Sequence, residues 1–320
     1  MRIEAPGNLP NAELAARLAA RVEGRVPIAV TRFTTGARHY VYDVRFSEHR
    51  SVVVRIGDRT AHAEMEGAVH LSRLLKPLGV PLPTLLAEDV EAELPWLVLE
   101  RLAGTDLGAV IASLSDGQLD LIAAGVAAAQ GIVAKIGSAG RYGYAARPEH
   151  APFAAWSDVL MASFERSKKR LAAAGLFDAT PADSLEKLLI AARRQLDRIG
   201  ATAFLHDTTT KNVIIGPGGT LSGIVDVDDL CFGDSRYPAA LTSAVLLAHG
   251  SGPLHYVAAW LRHAGKADDP TFRLYVALFL FDLMAEHGQV FNGNQTPSTP
   301  EARAGLLLAF EDSLRLAAGS

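Results

Sequence analysis

The 320-residue chain contains one cysteine, no excess of basic residues and no closely paired histidines. A single cysteine, Cys231, cannot form an internal disulfide, so the composition favours a reducing, cytoplasmic location. The formal net charge is −4, from 31 basic and 35 acidic residues, so neither nucleic acid nor an anionic membrane meets a basic surface. The ten histidines include no H-E-x-x-H or similar spacing, which argues against a histidine-bound metal.

Signals for export or membrane insertion are also lacking. The N-terminus has no basic stretch followed by an apolar run, so we expect no signal peptide. The most apolar stretches, such as residues 275–280, fall short of the roughly 20 apolar residues that a membrane span needs. With 49% apolar and 21% charged residues, the chain has the composition of a soluble globular protein, and its length allows two lobes with a cleft between them.

Hydrophobic periodicity predicts a first lobe at residues 1–102. After a helical start, Val-rich and aromatic segments separated by turn residues predict five strands. One long helix, at about 61–78, ends at Gly79 and falls between the third and fourth strands. The predicted strands cover residues 27–33, 40–46, 51–56, 84–90 and 96–100. We therefore expect a mostly antiparallel, five-stranded sheet with one long helix.

The second lobe, residues 103–320, is predicted to be mostly helical. One island of short strands interrupts the helices, at 203–205, 213–215 and 221–225, with a hairpin turn at Gly216 to Gly219. The predicted helices cover 105–114, 117–136, 153–174, 183–198, 237–249, 253–264, 270–288 and 300–317. The whole pattern predicts an α+β, two-lobed fold.

Acidic residues concentrate in this β-island, where five aspartates stand against one lysine between positions 204 and 234. Like charges beside apolar strands repel one another unless a cation neutralises them. Asp207, Asn212 and Asp226 offer hard oxygen ligands without forming a full cage, which suits magnesium shared with nucleotide phosphates. The alternative is that Asp207 and Asn212 cap turns while Asp228 and Asp229 are solvated.

The order of these parts matches that of kinase-like phosphotransferases: a five-strand lobe, a glycine-linked hinge, then D-x-x-x-x-N and a strand-end Asp in a helical lobe. Residues 205–234 resemble the signature of the aminoglycoside phosphotransferase family, H-G-D-x-x-x-x-N, a hairpin and I-D-W-D-x-A-x-x-G-D. The resemblance extends to residues 96–104 and 74–83. It implies a protein-kinase-like enzyme that uses magnesium to transfer the γ-phosphoryl group of ATP or GTP to a hydroxyl of a small molecule.

The resemblance also implies roles for single residues. Asp207 resembles the catalytic aspartate that accepts or orients the proton of the acceptor hydroxyl, and Asn212 and Asp226 resemble the magnesium ligands. Asp228 is expected to contact the substrate or a metal-bound water. Phosphoryl transfer needs positioning and charge neutralisation rather than a protein nucleophile, which agrees with these assignments.

The nucleotide site is predicted in the first lobe. Thr35 and Gly36 lie between the first two strands, where kinase-like folds place the loop that covers the phosphates, although the segment is not G-x-G-x-x-G. Arg55 takes the third-strand position of the family's phosphate-binding Lys or Arg. On the next helix, Glu64 lies on the apolar face and Glu66 points nearly opposite, so we favour Glu64 as the partner of Arg55.

By the same resemblance, adenine is expected against backbone groups of Glu100 and Leu102 at the hinge. The acceptor is expected in the helical lobe. Asp282 and Glu286 are four residues apart on one helix face and are predicted to bind a cationic acceptor such as an aminoglycoside or amino sugar. A solvated acidic face is the alternative for this pair, and a choline-like amino alcohol or a sugar is the alternative acceptor.

Two other interpretations of the chain remain. Residues 224–228 also resemble the D-x-D of haloacid-dehalogenase-like phosphatases, with Asp226 as nucleophile, but no repeating βαβ pattern precedes them. A nucleotide-binding pseudokinase is favoured only by the single-glycine loop and by the displaced histidine. The family histidine precedes the aspartate by two residues, whereas here Leu205 holds that place and His206 adjoins Asp207, so no catalytic role is assigned to His206.

Overall fold

The computed structural model describes residues 9–33, 39–47, 50–178, 180–250, 252–291, 294–295 and 298–319. Its N-terminal part is a five-stranded antiparallel sheet in the order β1-β2-β3-β5-β4, as the sequence predicts. The elements are α1 (Ala12–Glu23), β1 (Ala29–Arg32), β2 (Tyr40–Ser47), β3 (Arg50–Ile56), α2 (His62–Leu75), β4 (Leu85–Asp89) and β5 (Trp96–Glu100).

Side chains alternate along each strand, so one face of this sheet packs in the core and the other lines the cleft. In the β2–β3 pair, Tyr42 faces Val54 and Val44 faces Val52, and this face is buried beneath α1. The opposite face carries Arg55, paired in register with Val41 on β2. That face forms the roof of a cleft above the helical part.

The remainder of the chain is mostly helical and holds three small antiparallel sheets: β10-β9-β6, β7-β11-β8 and the hairpin β12-β13. Its elements are β6 (Thr105–Asp106), α3 (Leu107–Val110), α4 (Asp116–Val133), β7 (Gly143–Ala145), α5 (Trp156–Ala174), α6 (Thr180–Leu196), β8 (Thr202–Phe204), β9 (Val213–Ile215), β10 (Leu221–Ile224), β11 (Leu230–Gly233), α7 (Tyr237–Ala248), α8 (His255–His263), α9 (Pro270–Glu286), β12 (Val290–Phe291), β13 (Asn294–Gln295) and α10 (Pro300–Ala317).

The sequence analysis placed β8, β9 and β10 but missed the two-residue strands β6, β12 and β13. It also missed β7 and β11, which complete the sheet around β8. Strand β7 has three residues and β11 has four, and each includes a glycine. Such short segments do not display a period of two, and they are extended because they pair across the fold rather than through local propensity.

Helix α4 with the turn that follows it, residues 116–136, is long and apolar enough to cross a membrane, with a mean hydropathy of 1.6. The sequence expectation that apolar stretches fall well short of that length therefore missed this helix. In the structure α4 packs against α8, and Leu119, Ile122 and Val126 are buried in the main core. A buried core helix shows the same length and composition.

The main core of the helical part surrounds Trp156, which is fully buried. Its indole nitrogen donates to the Tyr275 hydroxyl at 2.9 Å, and that hydroxyl donates to Asp234 at 3.0 Å. A Cβ atom at Gly233 would lie 2.2 Å from the Trp156 ring, so only glycine fits there. Trp156 and Tyr237 are both buried core residues.

The end of α2 belongs to a second core cluster that it shares with the helical part. Leu71 and Leu75 pack there with Val80, with Leu205 after β8 and with Ile224 of β10. The backbone N–H of Ile224 also donates to the carbonyl of Pro81 at 2.8 Å. The helix of the first lobe is thus anchored directly on the strands that carry the acidic residues.

Candidate active site

A cavity of about 240 Å³ lies between the roof of the sheet and the hairpin β9–β10. It brings together five of the residues predicted to bind nucleotide or metal: Arg55, Glu100, Leu102, Asn212 and Asp226. Thr35 and Gly36 lie outside the described residues. These five residues are far apart in the sequence, so only the folded chain brings them into one cleft.

The loop that carries Asp207 is held from beneath by Gln130 of α4. The Gln130 side chain is 6% exposed; it accepts from Leu205 N at 3.0 Å and donates to Leu205 O at 2.8 Å. It also donates to the Thr208 hydroxyl at 3.2 Å. Gln130 therefore fixes the backbone of Leu205, before His206 and Asp207, and holds the side chain of Thr208, after them. Sequence analysis missed it, although one amide on the buried face of an Ala-rich helix needs a partner.

Asp207 itself is half-buried and locally oriented. The Thr209 hydroxyl donates to its Oδ1 at 2.8 Å, and the Asn212 side-chain amide donates to its backbone carbonyl at 3.0 Å. Because that bond engages the Asn212 nitrogen, the amide oxygen of Asn212 stays available as a metal ligand. The backbone N–H of Val225 donates to the Asn212 carbonyl at 2.9 Å, which brings Asp226 beside the loop.

Asp226 follows directly after β10 with φ = 63°, the one left-handed non-glycine residue in the described part of the chain. Such backbone conformations are sparsely populated and cluster at functional sites. Loss of hydration in the cleft raises the pKa of the Asp226 carboxyl, although its side chain is 55% exposed, and the charges of Asp228 and Asp207 also raise it against the opposing charge of Arg55. A cation beside these carboxylates would relieve their repulsion.

Arg55 forms its strongest contacts with Asp228, on the far side of the cleft. Its Nη1 donates to Asp228 Oδ1 at 2.5 Å, its Nη2 donates to Asp228 Oδ2, and Nη1 lies 3.2 Å from Asp226 Oδ1. Burial alone would lower the pKa of Arg55, but the charges of Asp228 and Asp226 outweigh it and raise the pKa. The expected contact of Asp228 with substrate is thus replaced here by a bidentate ion pair.

Glu64, the expected partner of Arg55, reaches the same cluster beside His39. The Glu64 carboxylate lies 3.4 Å from His39 Nε2, and His39 Nδ1 lies 2.5 Å from Arg55 Nη2. The charge of Glu64 also contributes to the raised pKa of Arg55. His39 is 5% exposed and was missed in the sequence, although it directly precedes the strand that pairs with Arg55.

At the hinge, the Glu100 carboxylate accepts from the backbone N–H and hydroxyl of Thr84, at 2.9 and 2.5 Å. These hydrogen bonds lower the pKa of Glu100. The Glu100 backbone N–H donates to the Thr84 carbonyl at 2.8 Å, so that amide is not available to a nucleotide base. The role of the Leu102 backbone stays a prediction.

Gly104 has φ = 110°, and a Cβ atom there would lie 1.8 Å from the Ile215 carbonyl oxygen.

His206 has a defined place beside Asp207. Its Nδ1 lies 3.0 Å from Asp229 Oδ1, and its ring meets the Tyr144 ring edge-on at 5.0 Å. Burial would lower the pKa of His206, but the neighbouring Asp229 carboxylate outweighs it and raises the pKa. The structure thus gives Asp229 a partner, in contrast to the alternative interpretation in which it is solvated.

Asp282 and Glu286 lie on one face of α9, as predicted, but this face contacts α5. The Ser167 hydroxyl donates to Asp282 at 2.5 Å, and Arg170 lies 3.7 Å from Asp282 and donates to Glu286 at 2.8 Å. The two acids therefore have an internal cation. Their predicted role as a free acidic pair that binds a cationic acceptor loses its basis.

The residues that could bind a metal form an open, partial ligand set, which suits magnesium, rather than a site closed by protein ligands alone. No group of three or more His, Cys, Asp or Glu side chains is placed to hold a metal ion within the described ranges. The oxygens of Asn212 and Asp226 form a partial set of hard ligands in the cleft. Magnesium keeps several waters and binds through one or two protein ligands plus phosphate oxygens, so this partial set suits it.

The sheet-roofed cleft above an acidic hairpin defines a two-lobed, protein-kinase-like phosphotransferase fold. The chain belongs to the phosphotransferase enzyme family, whose sequence profile matches residues 29–275. Every strand pair among the described residues is antiparallel, which excludes the parallel βαβ architecture of the phosphatase interpretation.

Similar solved structures share the fold at low sequence identity. The crystal structure of aminoglycoside phosphotransferase APH(4)-Ia has a TM-score of 0.67 and 16% identity, and the match covers 95% of this chain and 99% of that one. The GDP and kanamycin complex of APH(2")-IIIa has a TM-score of 0.67 and 17% identity over 97% and 98% of the two chains. A structure assigned as a fructosamine-3-kinase from Thermobifida fusca has a TM-score of 0.64 and 18% identity over 97% and 100%. No curated protein sequence matches the chain.

Proposed function

We propose that the protein transfers the γ-phosphoryl group of ATP or GTP, with magnesium, to a hydroxyl group of a small molecule. The observation that carries this proposal is the convergence of Arg55, Asn212 and Asp226 on one cleft, with Asp207 oriented beside them. In this proposal residues 1–102 bind the nucleotide, and residues 103–320 supply the metal ligands, the catalytic loop and the acceptor pocket of a cytoplasmic enzyme.

The cleft is divided in a way that suits a nucleotide. One part of its lining is apolar, and we assign the base to it: Phe33, Val41, Val53, Leu99 and Ile214. The other part is polar, and we assign the phosphates to it: Arg55, Lys211, Asn212 and Asp226. Similar structures contain ADP with hygromycin B in one case and GDP in another, which supports a nucleotide donor without selecting the base.

Each residue then has a physical task. Arg55 is buried and held by Asp228, so its guanidinium is preorganised to bind phosphate oxygens. Asn212 and Asp226 would hold magnesium, which when bound neutralises charge on the phosphates. Asp207, oriented by Thr209, would accept the proton of the acceptor hydroxyl. The acceptor oxygen bonds to the γ-phosphorus as the bond to the departing diphosphate breaks, and no protein nucleophile is needed.

The test measures nucleoside diphosphate release from ATP and from GTP with magnesium. Acceptors would include aminoglycosides, amino sugars, simple sugars and choline-like amino alcohols. Similar proteins with kanamycin bound or assigned as a fructosamine-3-kinase make sugar-like hydroxyl compounds the first choice.

Asp207→Asn is expected to reduce acceptor-dependent turnover by roughly 10²–10⁴-fold while nucleotide affinity changes little. Asp183→Asn, at an exposed position on α6, is the matched control and should leave turnover unchanged. Undiminished turnover in Asp207→Asn would remove the assigned role of Asp207. Failure of the wild-type protein to bind any nucleotide would refute the proposed function, and nucleotide binding without turnover would favour a pseudokinase.

A further inference from the structure

His39 is a buried residue that lies between the side chains of Arg55 and Glu64. It follows the segment that contains Thr35 and Gly36, directly precedes β2, and is 5% exposed. Its Nδ1 lies 2.5 Å from Arg55 Nη2, and its Nε2 lies 3.4 Å from the Glu64 carboxylate. In the part of the chain that the structure describes, no ion pair joins Arg55 directly to Glu64. The imidazole therefore separates the arginine of β3 from the glutamate of α2.

The contact with Arg55 defines which nitrogen of His39 carries the proton. A guanidinium has N–H donors and no acceptor, so Arg55 Nη2 can only donate, and the acceptor is the lone pair of His39 Nδ1. Because an imidazolium has no lone pair, His39 is neutral and carries its one proton on Nε2, the nitrogen that faces Glu64. At 3.4 Å the carboxylate charge attracts this N–H without forming a short hydrogen bond.

His39 and Asp228 together fix the orientation of the Arg55 guanidinium. Arg55 Nη2 has two N–H groups, of which one donates to Asp228 Oδ2 and the other to His39 Nδ1. Nη1 donates to Asp228 Oδ1 and also lies 3.2 Å from Asp226 Oδ1, on the side of the cleft that we assign to the phosphates. The guanidinium plane cannot turn toward or away from the phosphates without breaking one of these bonds.

We propose that His39 is a positioning residue of the nucleotide site, which connects Glu64 to Arg55 and holds the guanidinium in the orientation that binds phosphate. The inference rests on the proposed function, in which Arg55 binds the phosphates. A carboxylate beside one nitrogen of an imidazole makes the other nitrogen a stronger acceptor, so Glu64 strengthens the hydrogen bond from Arg55 to His39. Glu64 lies on the first turn of α2, so the position of this helix affects the phosphate site through His39.

The experiment measures how much of the nucleotide affinity depends on the phosphates. Binding of ADP and GDP with magnesium is compared by calorimetry with binding of adenosine and guanosine, which occupy only the base and ribose parts of the cleft. A wrongly oriented Arg55 lowers the affinity for the diphosphates alone, whereas a general loosening of the first lobe lowers both affinities. The free energy of unfolding of each variant is measured by urea denaturation.

His39→Leu should weaken diphosphate binding by about 10-fold and leave nucleoside binding unchanged, because it removes one hydrogen bond to a charged group. His39→Gln should retain more of the affinity, because its amide can accept from Arg55 and donate to Glu64. His62→Leu is the matched control on the helix that carries Glu64. The His62 ring contacts two backbone carbonyls at 3.0 Å, so its loss should not change the difference between diphosphate and nucleoside affinity.

A double-mutant cycle tests the connection through His39. Glu64→Gln should weaken diphosphate binding in the wild-type background but have no further effect in His39→Leu, because either change breaks the same connection. Glu66→Gln, at an exposed position of the same helix, removes the same charge and should have no effect in either background.

The protonated nitrogen of His39 is tested without any nucleotide. NMR of protein that contains isotope-labelled histidine shows which ring nitrogen carries the proton, at about pH 8 and therefore above the ordinary histidine pKa of about 6.5. The signals of His39 are identified by their absence from the His39→Gln spectrum. We expect the proton on Nε2.

Three results would overturn the inference while leaving the kinase proposal intact. The first is that His39→Leu lowers diphosphate and nucleoside affinity equally, or lowers neither. The second is that Glu64→Gln has no effect in the wild-type background, or has its full effect in His39→Leu. The third is a proton on Nδ1 of His39. Absence of nucleotide binding by the wild-type protein would instead refute the proposed function.

Discussion

Replacing Gln130 by Leu tests whether the loop that carries Asp207, the proposed catalytic residue, is held by one buried amide. Leucine fills similar space, so the change removes hydrogen bonds without opening a large cavity. The Leu205 N–H and C=O would both lose a partner now at 3.0 and 2.8 Å, and the Thr208 hydroxyl would lose one at 3.2 Å. An unsatisfied buried group costs about 1–3 kcal/mol, so the two backbone groups together predict about 2–6 kcal/mol of lost stability.

Activity should fall as well, because Leu205 and Thr208 bracket His206 and Asp207 along the chain. A displacement of about 1 Å at a catalytic group can reduce the rate by about 100-fold. The free energy of unfolding is measured by urea denaturation, and turnover is measured with the acceptor that the screen identifies.

Gln195→Leu is the matched control, because that side chain is exposed and bonds only Thr271, at 2.7 Å. We expect it to change stability by less than about 1 kcal/mol, as surface substitutions do. If Gln130→Leu were equally mild, or if it kept full turnover, the idea that Gln130 positions the loop would be refuted.

Gly104→Ala should destabilise the fold severely, because the new Cβ would lie 1.8 Å from the Ile215 oxygen in a left-handed backbone; a melting temperature equal to that of wild type would contradict this. The His206–Asp229 pair should stabilise the protein more at acidic than at alkaline pH. The pKa of His206 is raised in the folded state, so its stabilising effect is complete below the ordinary histidine pKa of about 6.5. This effect is lost as the pH rises through the higher pKa of the folded state. His206→Gln should therefore flatten the dependence of melting temperature on pH above the ordinary histidine pKa of about 6.5, and an unchanged slope would refute the pairing. Cys231 is fully buried, and burial raises the pKa of its thiol, so a thiol reagent should react only after unfolding; rapid labelling of the native protein would disprove this burial.

The sequence predicted those features that depend on local pattern. Strand β5 has the predicted bounds, Trp96–Glu100, because a dense apolar run stands between clear turn signals. The common face of Asp282 and Glu286 also follows from helix geometry alone. Periodicity thus supplied the elements and the direction in which many side chains point.

Features that depend on distant pairing could not be predicted in the same way. Arg55 and Asp228 are separated by 173 positions, and the choice between Asp228 and Glu64 depends on how the two lobes meet. Helix geometry placed Asp282 correctly on its face, but nothing local revealed that Ser167 and Arg170 of another helix lie against it. Gln130 was missed for the same reason, since its partners lie 75 and 78 positions away.

The anchoring of α2 has a mechanical consequence. Leu71 and Leu75 lie in the core cluster that α2 shares with the helical part, and the Pro81 carbonyl accepts a hydrogen bond from Ile224. A second close contact between the two parts lies at Gly104, which packs against the backbone of Ile215. Because two fixed points define an axis, we expect the sheet to move by hinge rotation about the line between them rather than by a sliding, shear motion. If α2 stays in place during this rotation, Glu64 on its first turn moves little. The largest displacement is then expected at β1, the edge strand of the sheet.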